Sequence, residues 1–505
     1  MNELLLGIDI GTSSSKGVLA RPNGEVVATA TRQHALSLPR PGWAEHDAER
    51  VWWADFTAIC TELLSRADGP LAAVCVSGIG PCLLPADAAG RPLRPAILYG
   101  IDTRATREIE ELSERYGAET ILSRCGSLLT SQAVGPKLAW LRRNEPNVWQ
   151  QTRHLFMASS FIVHRLTGEY VLDHHSASQC DPLYDLQENR WIEEWAAEIA
   201  PGLPLPKLLW PAEVAGTVTE AAAQATGIAA GTPVAAGTVD AWAEAASVSV
   251  LEPGDLMLMY GTTMFLVEVV TQPKPHPGLW STAGIFRGTY SLAAGMATSG
   301  ALTGWLKEIT GDMPYESLVQ EAAEVSAGSH GLVVLPYFAG ERTPLFDPRA
   351  RGVICGLTLS HGRGHLYRAL LEATAYGVRH IFEAMREAGG GGEKLVAVGG
   401  GTKGGLWTQI VSDVTGREQI LPQETIGASY GDALLAAAAL GLVSPDEIWN
   451  PTSAIVKPDS DTRATYDRLY SIYRELYPAT SSAAHALADL QLQGCAGYST
   501  HPPGL

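Results

Sequence analysis

From Leu4 to Thr31 apolar residues come in short runs broken by turn residues: LLLGIDI, a Gly and Ser turn, KGVLA, the Asn23 and Gly24 dipeptide, then EVVATAT. This spacing predicts three antiparallel strands joined by tight turns. Between residues 47 and 66 the period changes. Trp52, Phe56, Ile59 and Leu63 recur at steps of four, three and four, the apolar stripe of an amphipathic helix, and the strand LAAVCVS follows. From Leu256 the order returns in LMLMYGTTMFLVEVV, with later helices over 366–386 and 406–415 and strands LVVLP and KLVAVGG. A meander followed by alternating helix and strand predicts a mixed sheet with helices packed on it, and its recurrence predicts a duplicated domain. Tyr466, Leu469, Tyr473 and Leu476 predict one more helix near the C-terminus.

At 505 residues the chain exceeds the size at which one core stops growing, so two large domains are expected. The turn Glu252, Pro253, Gly254 precedes the second meander and sets the boundary near 247. The expected domains are 1–247 and 248–445, then a helical extension over 446–490 and a flexible tail over 491–505. The four glycines 389–392 are expected to connect a helix to a strand, since no helix opens directly after them.

Composition narrows the function classes. Apolar residues make up 46% and charged residues 18%, values of an ordinary globular protein. A formal charge of -18 with no basic cluster argues against nucleic acid as a partner. Seven cysteines, an odd number without a CxxC pair, suggest neither a disulfide framework nor a zinc site. There is no signal-peptide pattern at the N-terminus and no apolar run long enough for a bilayer, so a cytoplasmic protein with no membrane partner is expected.

Three turns and one acid carry candidate chemistry. In LLLGIDIGTSSSK a strand delivers Asp9 to its end, and Gly11 lets a polyanion approach the backbone. The hydroxyls of Thr12, Ser13 and Ser14 and the Lys16 ammonium suit phosphate oxygens, leaving Asp9 for hydrated Mg²⁺. A hairpin with a polar turn is the competing reading of this motif alone. The turn Gly261, Thr262, Thr263 repeats the chemistry in the second half, and Gly399, Gly400 and Gly401 lie between the strand LVAV and a helix expected from Thr402. In PVAAGTVDAWAEAA, Asp240 enters a helix N-terminus, where it is either a cap or the base that phosphoryl transfer to an alcohol needs.

Together these motifs resemble the FGGY family of carbohydrate kinases, of the actin-like ATPase superfamily, from about Leu4 to about Leu442. DIGTSSSK is similar to that family's first phosphate motif, GTVDAWAEA to its catalytic-base motif, YGTT to its second phosphate motif and LVAVGGGTKGGLW to its adenosine motif. VGPKLAWLRRNE and RGVICGLTLSHGRGHLYRALLE match the two family signatures with small departures. The resemblance implies an α/β fold of two duplicated ribonuclease H-like domains, each a mixed five-stranded sheet with flanking helices, around a central cleft. It implies ATP and Mg²⁺ as cofactors, Asp240 as general base, Asp9 and Asp240 holding Mg²⁺ through water, and Lys403 beside the nucleotide. A homodimer is the candidate assembly.

PGWAEHDAERVWW and LPYFAGERTPLFDPRARG resemble the xylulokinase branch, which implies a ketopentose acceptor bound by Gly80, Pro81, Asp102, Arg104, Gln132 and Asp240. Two departures bear on the sugar. Ile79, Gly80, Pro81 and Cys82 stand where the branch has a Gln-Met-His-Gly-like stretch, and Gly100 stands where its Trp-x-Asp-x-Arg loop has the aromatic, with Tyr99 beside it. These leave another polyol as the alternative acceptor, and an actin-like or chaperone-like ATPase as the remote one.

Overall fold

The structure is a computed structural model in which residues 3–444 and 447–495 are described, the side chains of 492–495 excepted. Residues 496–505 of the expected tail lie outside the described residues. The first sheet contains β1 (Leu4–Ile10), β2 (Ser14–Ala20), β3 (Val26–Gln33), β4 (Leu71–Gly78), β5 (Val214–Thr217), β6 (Pro233–Ala235) and β7 (Thr238–Val239). The second contains β8 (Asp255–Tyr260), β9 (Met264–Val270), β10 (Trp280–Ala283), β11 (Tyr290–Met296), β12 (Lys394–Val398), β13 (Gln419–Pro422) and β14 (Thr452–Val456).

The first sheet runs β5-β6-β4-β1-β2-β3, with β7 also on β4, and the second runs β10-β11-β9-β8-β12-β13-β14. Read from their meander sides, both place a central first strand between the meander and a later strand. Beyond it, β4 and β6 pair parallel and β6 and β5 antiparallel, as β12 and β13 pair parallel and β13 and β14 antiparallel. This repeated order is the duplication expected from the sequence. Each sheet has seven strands where five were expected. The additional strands are at edges or very short, such as VAGT and the two-residue β7, below the length at which a period is readable.

The predicted elements form for the expected reasons. β1 is buried at every position, as a central strand must be, and pairs antiparallel with β2 and parallel with β4. Trp52, Phe56, Ile59 and Leu63 are all fully buried. They lie on a π-helical turn (Ala48–Trp53) that continues into the helix Ala54–Leu64. Each such burial is worth roughly 1.5–3 kcal/mol, which secures this helix on the sheet. The four glycines join the helix Arg363–Glu387 to β12. Thr402 does not open a helix: a 3₁₀ turn spans Gly400–Thr402 and the helix begins at Leu406. Gly404 and Gly405, both with positive φ, delay it.

Two compact units are interleaved in sequence: one comprises Met1–Asp255, Val267–Leu292 and Glu424–Pro451, the other Leu256–Leu266, Ala293–Gln423 and Thr452–Leu505. The six described cysteines are free, five of them buried. No helix among the described residues is long and apolar enough to cross a membrane.

Candidate active site

In the first unit, β-pairing assembles the site. Asp9 pairs with Lys16 across β1 and β2 and with Ser77 across β1 and β4, and Ser77 pairs with Thr238 on β7. Asp9, Ser77 and Thr238 therefore form a row across three strands, and Asp240 follows two residues later as the first residue of the helix Asp240–Ser247. The helix N-cap is Val239, so Asp240 is not the cap. Its Oδ1 accepts the Ala241 N–H at 2.7 Å, and Oδ2 has no hydrogen-bond partner among the described residues.

A second helix, Ala428–Ala439, completes the group from the far end of the sequence. It comes so close that a Cβ at Gly7 would sit 2.0 Å from the Ser429 carbonyl, and one at Gly431 would sit 1.8 Å from the Ala243 carbonyl. Only glycine permits that approach, and it lowers Asp432 onto Ser77, whose hydroxyl donates to Asp432 Oδ2 at 2.7 Å.

Asp9 and Asp432, both buried, and Asp240 and Glu244, both half-buried, thus gather in one region with the exposed cation Lys16 beside Asp9. Burial, opposed in part by Lys16, pushes Asp9 up to about 6. Burial and then the charge of Asp9 hold Asp240 well above the usual carboxylate range. Glu244, one helical turn after Asp240, is pushed up to about 7 by burial and Asp9, and burial holds Asp432 well above its ordinary value. Such mutually raised acids mark a site awaiting positive charge and a polar ligand. Sequence reasoning singled out Asp9 and Asp240 but not Ser77, Glu244 or Asp432. The available signals were the four-residue spacing of Glu244 from Asp240 and a lone Asp in the small-residue run ASYGDALLAAAA.

The first candidate phosphate turn is tight, with Gly11 N–H donating to the Ser14 carbonyl at 3.1 Å, and Ser13 and Lys16 are exposed. In the second unit the turn Gly261–Thr263 closes one residue sooner, Gly261 N–H donating to the Thr263 carbonyl at 3.1 Å. A Cβ at Gly399 would sit 2.5 Å from the Tyr260 carbonyl, and one at Gly401 would sit 2.9 Å from Tyr260 Cβ. The second candidate phosphate turn and the glycine group are therefore neighbours, with Gly400 and Lys403 exposed.

The candidate sugar residues fall into three places. Gly80 lies against the residue before Asp240, where its Cβ would meet Val239 Cγ2 at 2.7 Å. Cys82 is fully buried, its thiol pushed up to about 12 by that burial. Gln132 Oε1 accepts the Gly100 N–H at 3.0 Å and occupies the space beside Gly100, while the Tyr99 hydroxyl stands 3.5 Å from Thr12 Oγ1. The aromatic of this loop is thus Tyr99. Asp102 and Arg104 are turned inward and bound to each other, with Nη2 to Oδ2 at 2.6 Å. Asp102 also accepts the Ala44 N–H at 2.8 Å, and Arg104 stacks on Trp43 at 3.8 Å and pairs with Glu45 at 2.8 Å. The PGWAEHD segment therefore packs behind this loop.

Comparison with known proteins identifies the family. Residues 4–246 match the N-terminal domain of the FGGY family of carbohydrate kinases and residues 256–440 its C-terminal domain. The chain is 29% identical to the xylulose kinase of Escherichia coli, covering 94% of this chain and 98% of that one. It is 30% identical to the glycerol kinase of Nocardia farcinica, over 92% and 97% respectively. The crystal structure of xylulose kinase from Rhodospirillum rubrum superposes with a TM-score of 0.88 at 34% identity, covering 95% of this chain and all of that one. The duplicated fold is that of the actin-like ATPases, and the chain belongs to the FGGY family of carbohydrate kinases, which transfer phosphate from ATP to a sugar hydroxyl.

Proposed function

We propose that the acceptor is a ketopentose, xylulose first, phosphorylated at its terminal 5-hydroxyl with Asp240 as general base. The observation that carries this reading is Asp240 itself: a carboxyl with one unpartnered oxygen, raised by burial and by Asp9, directly after Val239, which packs closely on Gly80. A raised carboxylate is a stronger base toward an alcohol. Its relatives support the substrate class, since xylulose kinases recur among them.

In this reading residues 1–247 bind the sugar through Gly80, Pro81, Gln132 and Asp240, and residues 248–445 bind ATP. Asp102 and Arg104 support the loop from behind, as their mutual pairing favours. Thr12, Ser13 and Lys16 receive phosphate oxygens from one unit. Gly261, Thr262, Thr263, Gly399, Gly400, Gly401 and Lys403 are the candidate ATP contacts of the second unit.

The donor set suits Mg²⁺. Among the described residues no group of three or more His, Cys, Asp or Glu side chains is arranged to hold a metal, so a cation here would take few protein ligands and much water, as Mg²⁺ does. Asp9 and Asp240 would hold it, and its charge would offset both their repulsion and that of the phosphates.

A coupled ADP-release screen over pentuloses, deoxypentuloses, hexuloses, pentitols and glycerol tests the assignment. Xylulose is expected to give the highest kcat/KM. Ribulose, a deoxy sugar or glycerol in first place would overturn the acceptor and leave the kinase class intact.

A further inference from the structure

Beneath the first phosphate turn lies an ion pair that the kinase reading does not use. His34 follows β3, and its backbone N–H donates to the Ser13 carbonyl at 3.0 Å. Its side chain is only 7% exposed. Nδ1 stands 2.7 Å from Asp55 Oδ2, and Nε2 stands 3.1 Å from the Gly11 carbonyl oxygen. Both partners are acceptors. An imidazole satisfies two acceptors only when both nitrogens carry hydrogen, which makes His34 an imidazolium. Asp55, in the first turn of the helix Ala54–Leu64, also accepts the Ser15 hydroxyl at 2.8 Å, so the pair grips the turn at both ends.

The groups around His34 agree. Burial alone would push it down, but the hydrogen bond and charge of Asp55, with the backbone of Gly11 and Thr12, outweigh burial and raise it. His46, on the short strand Glu45–His46, meets His34 edge to face at 5.2 Å, and its Nδ1 accepts the Trp52 Nε1–H at 3.1 Å. That nitrogen therefore lacks a proton, and burial, reinforced by His34, holds His46 down at about 4. Asp9 on β1 feels His34 as a charge that lowers it. Of two adjacent histidines, one is cationic and one neutral.

We propose that His34, held by Asp55, is a positioning residue for the phosphate turn: its Nε2–H fixes the Gly11 carbonyl and sets a buried positive charge behind the backbone that receives the nucleotide's phosphates. A hydrogen bond from a cation to a carbonyl polarises that peptide unit, so the Thr12 amide on its far side becomes a stronger donor. The turn itself is rigid, since a Cβ at Gly11 would already sit 2.7 Å from the Ser14 carbonyl. Because the charge is inside, salt screens it less than it screens Lys16. This role deepens the kinase reading and rests on it.

The test compares His34→Gln, Asp55→Asn and Asp55→Glu in the full-length protein. Binding of MgATP without sugar, thermal unfolding, and KM for each substrate are measured. His34→Gln and Asp55→Asn are expected to weaken MgATP about tenfold while the sugar KM stays within about twofold, and Asp55→Glu is expected to recover most of the loss. The sign with pH follows from a raised histidine: the charge is complete below its ordinary range and is lost as pH rises through the folded value. Wild-type affinity for MgATP should therefore fall more steeply with rising pH than that of His34→Gln, whose remaining slope comes from the raised acids Asp240 and Glu244. Unchanged affinity in folded variants, or equal rises in both KM values, would overturn the proposal. If the variants do not fold, imidazole nitrogen NMR shifts that show His34 neutral in the wild type at pH 6 overturn it alone. A wild-type protein that binds MgATP but phosphorylates no sugar would defeat the kinase reading instead, and the binding comparison would still be readable.

Discussion

Ser77 donates its hydroxyl to Asp432 at 2.7 Å while the same oxygen stands 3.4 Å from Asp9 Oδ1. One hydroxyl carries one proton, so the nearer acid takes it and Asp9 is left with the weaker contact. That helps explain why burial can push Asp9 up to about 6 from 3.8. A carboxyl raised on folding makes the folded state hold its proton more tightly, so stability is lost as pH rises from the unfolded to the folded value. About two units correspond to about 3 kcal/mol. Asp9→Asn should therefore be more stable than the wild type by about that much at pH 8, the difference vanishing near pH 4. Urea unfolding at both pH values measures it, and the neutral buried histidines cancel in the comparison. A constant difference would remove Asp9 ionisation as the cause.

Asp240→Asn should separate chemistry from binding. The amide keeps the side-chain oxygen that accepts the Ala241 N–H but cannot take a proton from the acceptor hydroxyl. kcat is expected to fall by about 10²–10⁴ while MgATP affinity changes by no more than a few-fold. Single-turnover rates with equilibrium nucleotide binding test this. A variant transferring phosphate near the wild-type rate would show that another group takes the proton.

Asp9, Asp240 and the two glycine-hydroxyl turns stood out as candidates because each is spelled by adjacent residues: a strand, a glycine, hydroxyls. The meander and the Trp52 to Leu63 stripe were legible because burial imposes a period. Asp432 was not, since 423 positions separate it from Asp9 and only the helix packing at Gly7 and Gly431 joins them. The inward pairing of Asp102 and Arg104 was also hidden: sequence spacing gives the loop but not which way its side chains turn. His34 and Asp55 carried no signal beyond a polar residue at a strand end and an acid in a first helical turn.

Lys137 gives a prediction about the sugar loop. The residue is 1% exposed, its ammonium donates to the carbonyls of Ser131 at 2.5 Å, Gln132 at 3.3 Å and Ala133 at 3.4 Å, and burial pulls it down to about 8. Ser131 Oγ in turn donates to the Gly100 carbonyl at 2.8 Å, and Gln132 Oε1 accepts the Gly100 N–H. Lys137→Met would strand three carbonyls and loosen Gln132. A loss of about 1–3 kcal/mol is expected, with the sugar KM raised about tenfold and kcat little changed. A fall in kcat at constant KM would place the effect on Asp240 instead.

The adjacent glycines 399 and 400 should respond very differently to the same substitution. Gly399 has φ of 94°, and its Cβ would sit 2.5 Å from the Tyr260 carbonyl, backbone that cannot swing aside. Gly400 has neither a positive φ nor any heavy atom within 4 Å of its Cβ position. Gly399→Ala is therefore expected to destabilise by about 2–4 kcal/mol, combining left-handed strain with displacement of the strand end that carries Gly261 to Thr263. Gly400→Ala should keep stability within about 0.5 kcal/mol. With stability held, any rise in its KM for ATP reports the methyl meeting nucleotide alone. Denaturant melts of both variants, followed by ATP kinetics on those that fold, test packing and binding apart. Equal destabilisation of the two would mean that the glycine run is required as a whole and that the close contact with Tyr260 does not decide it.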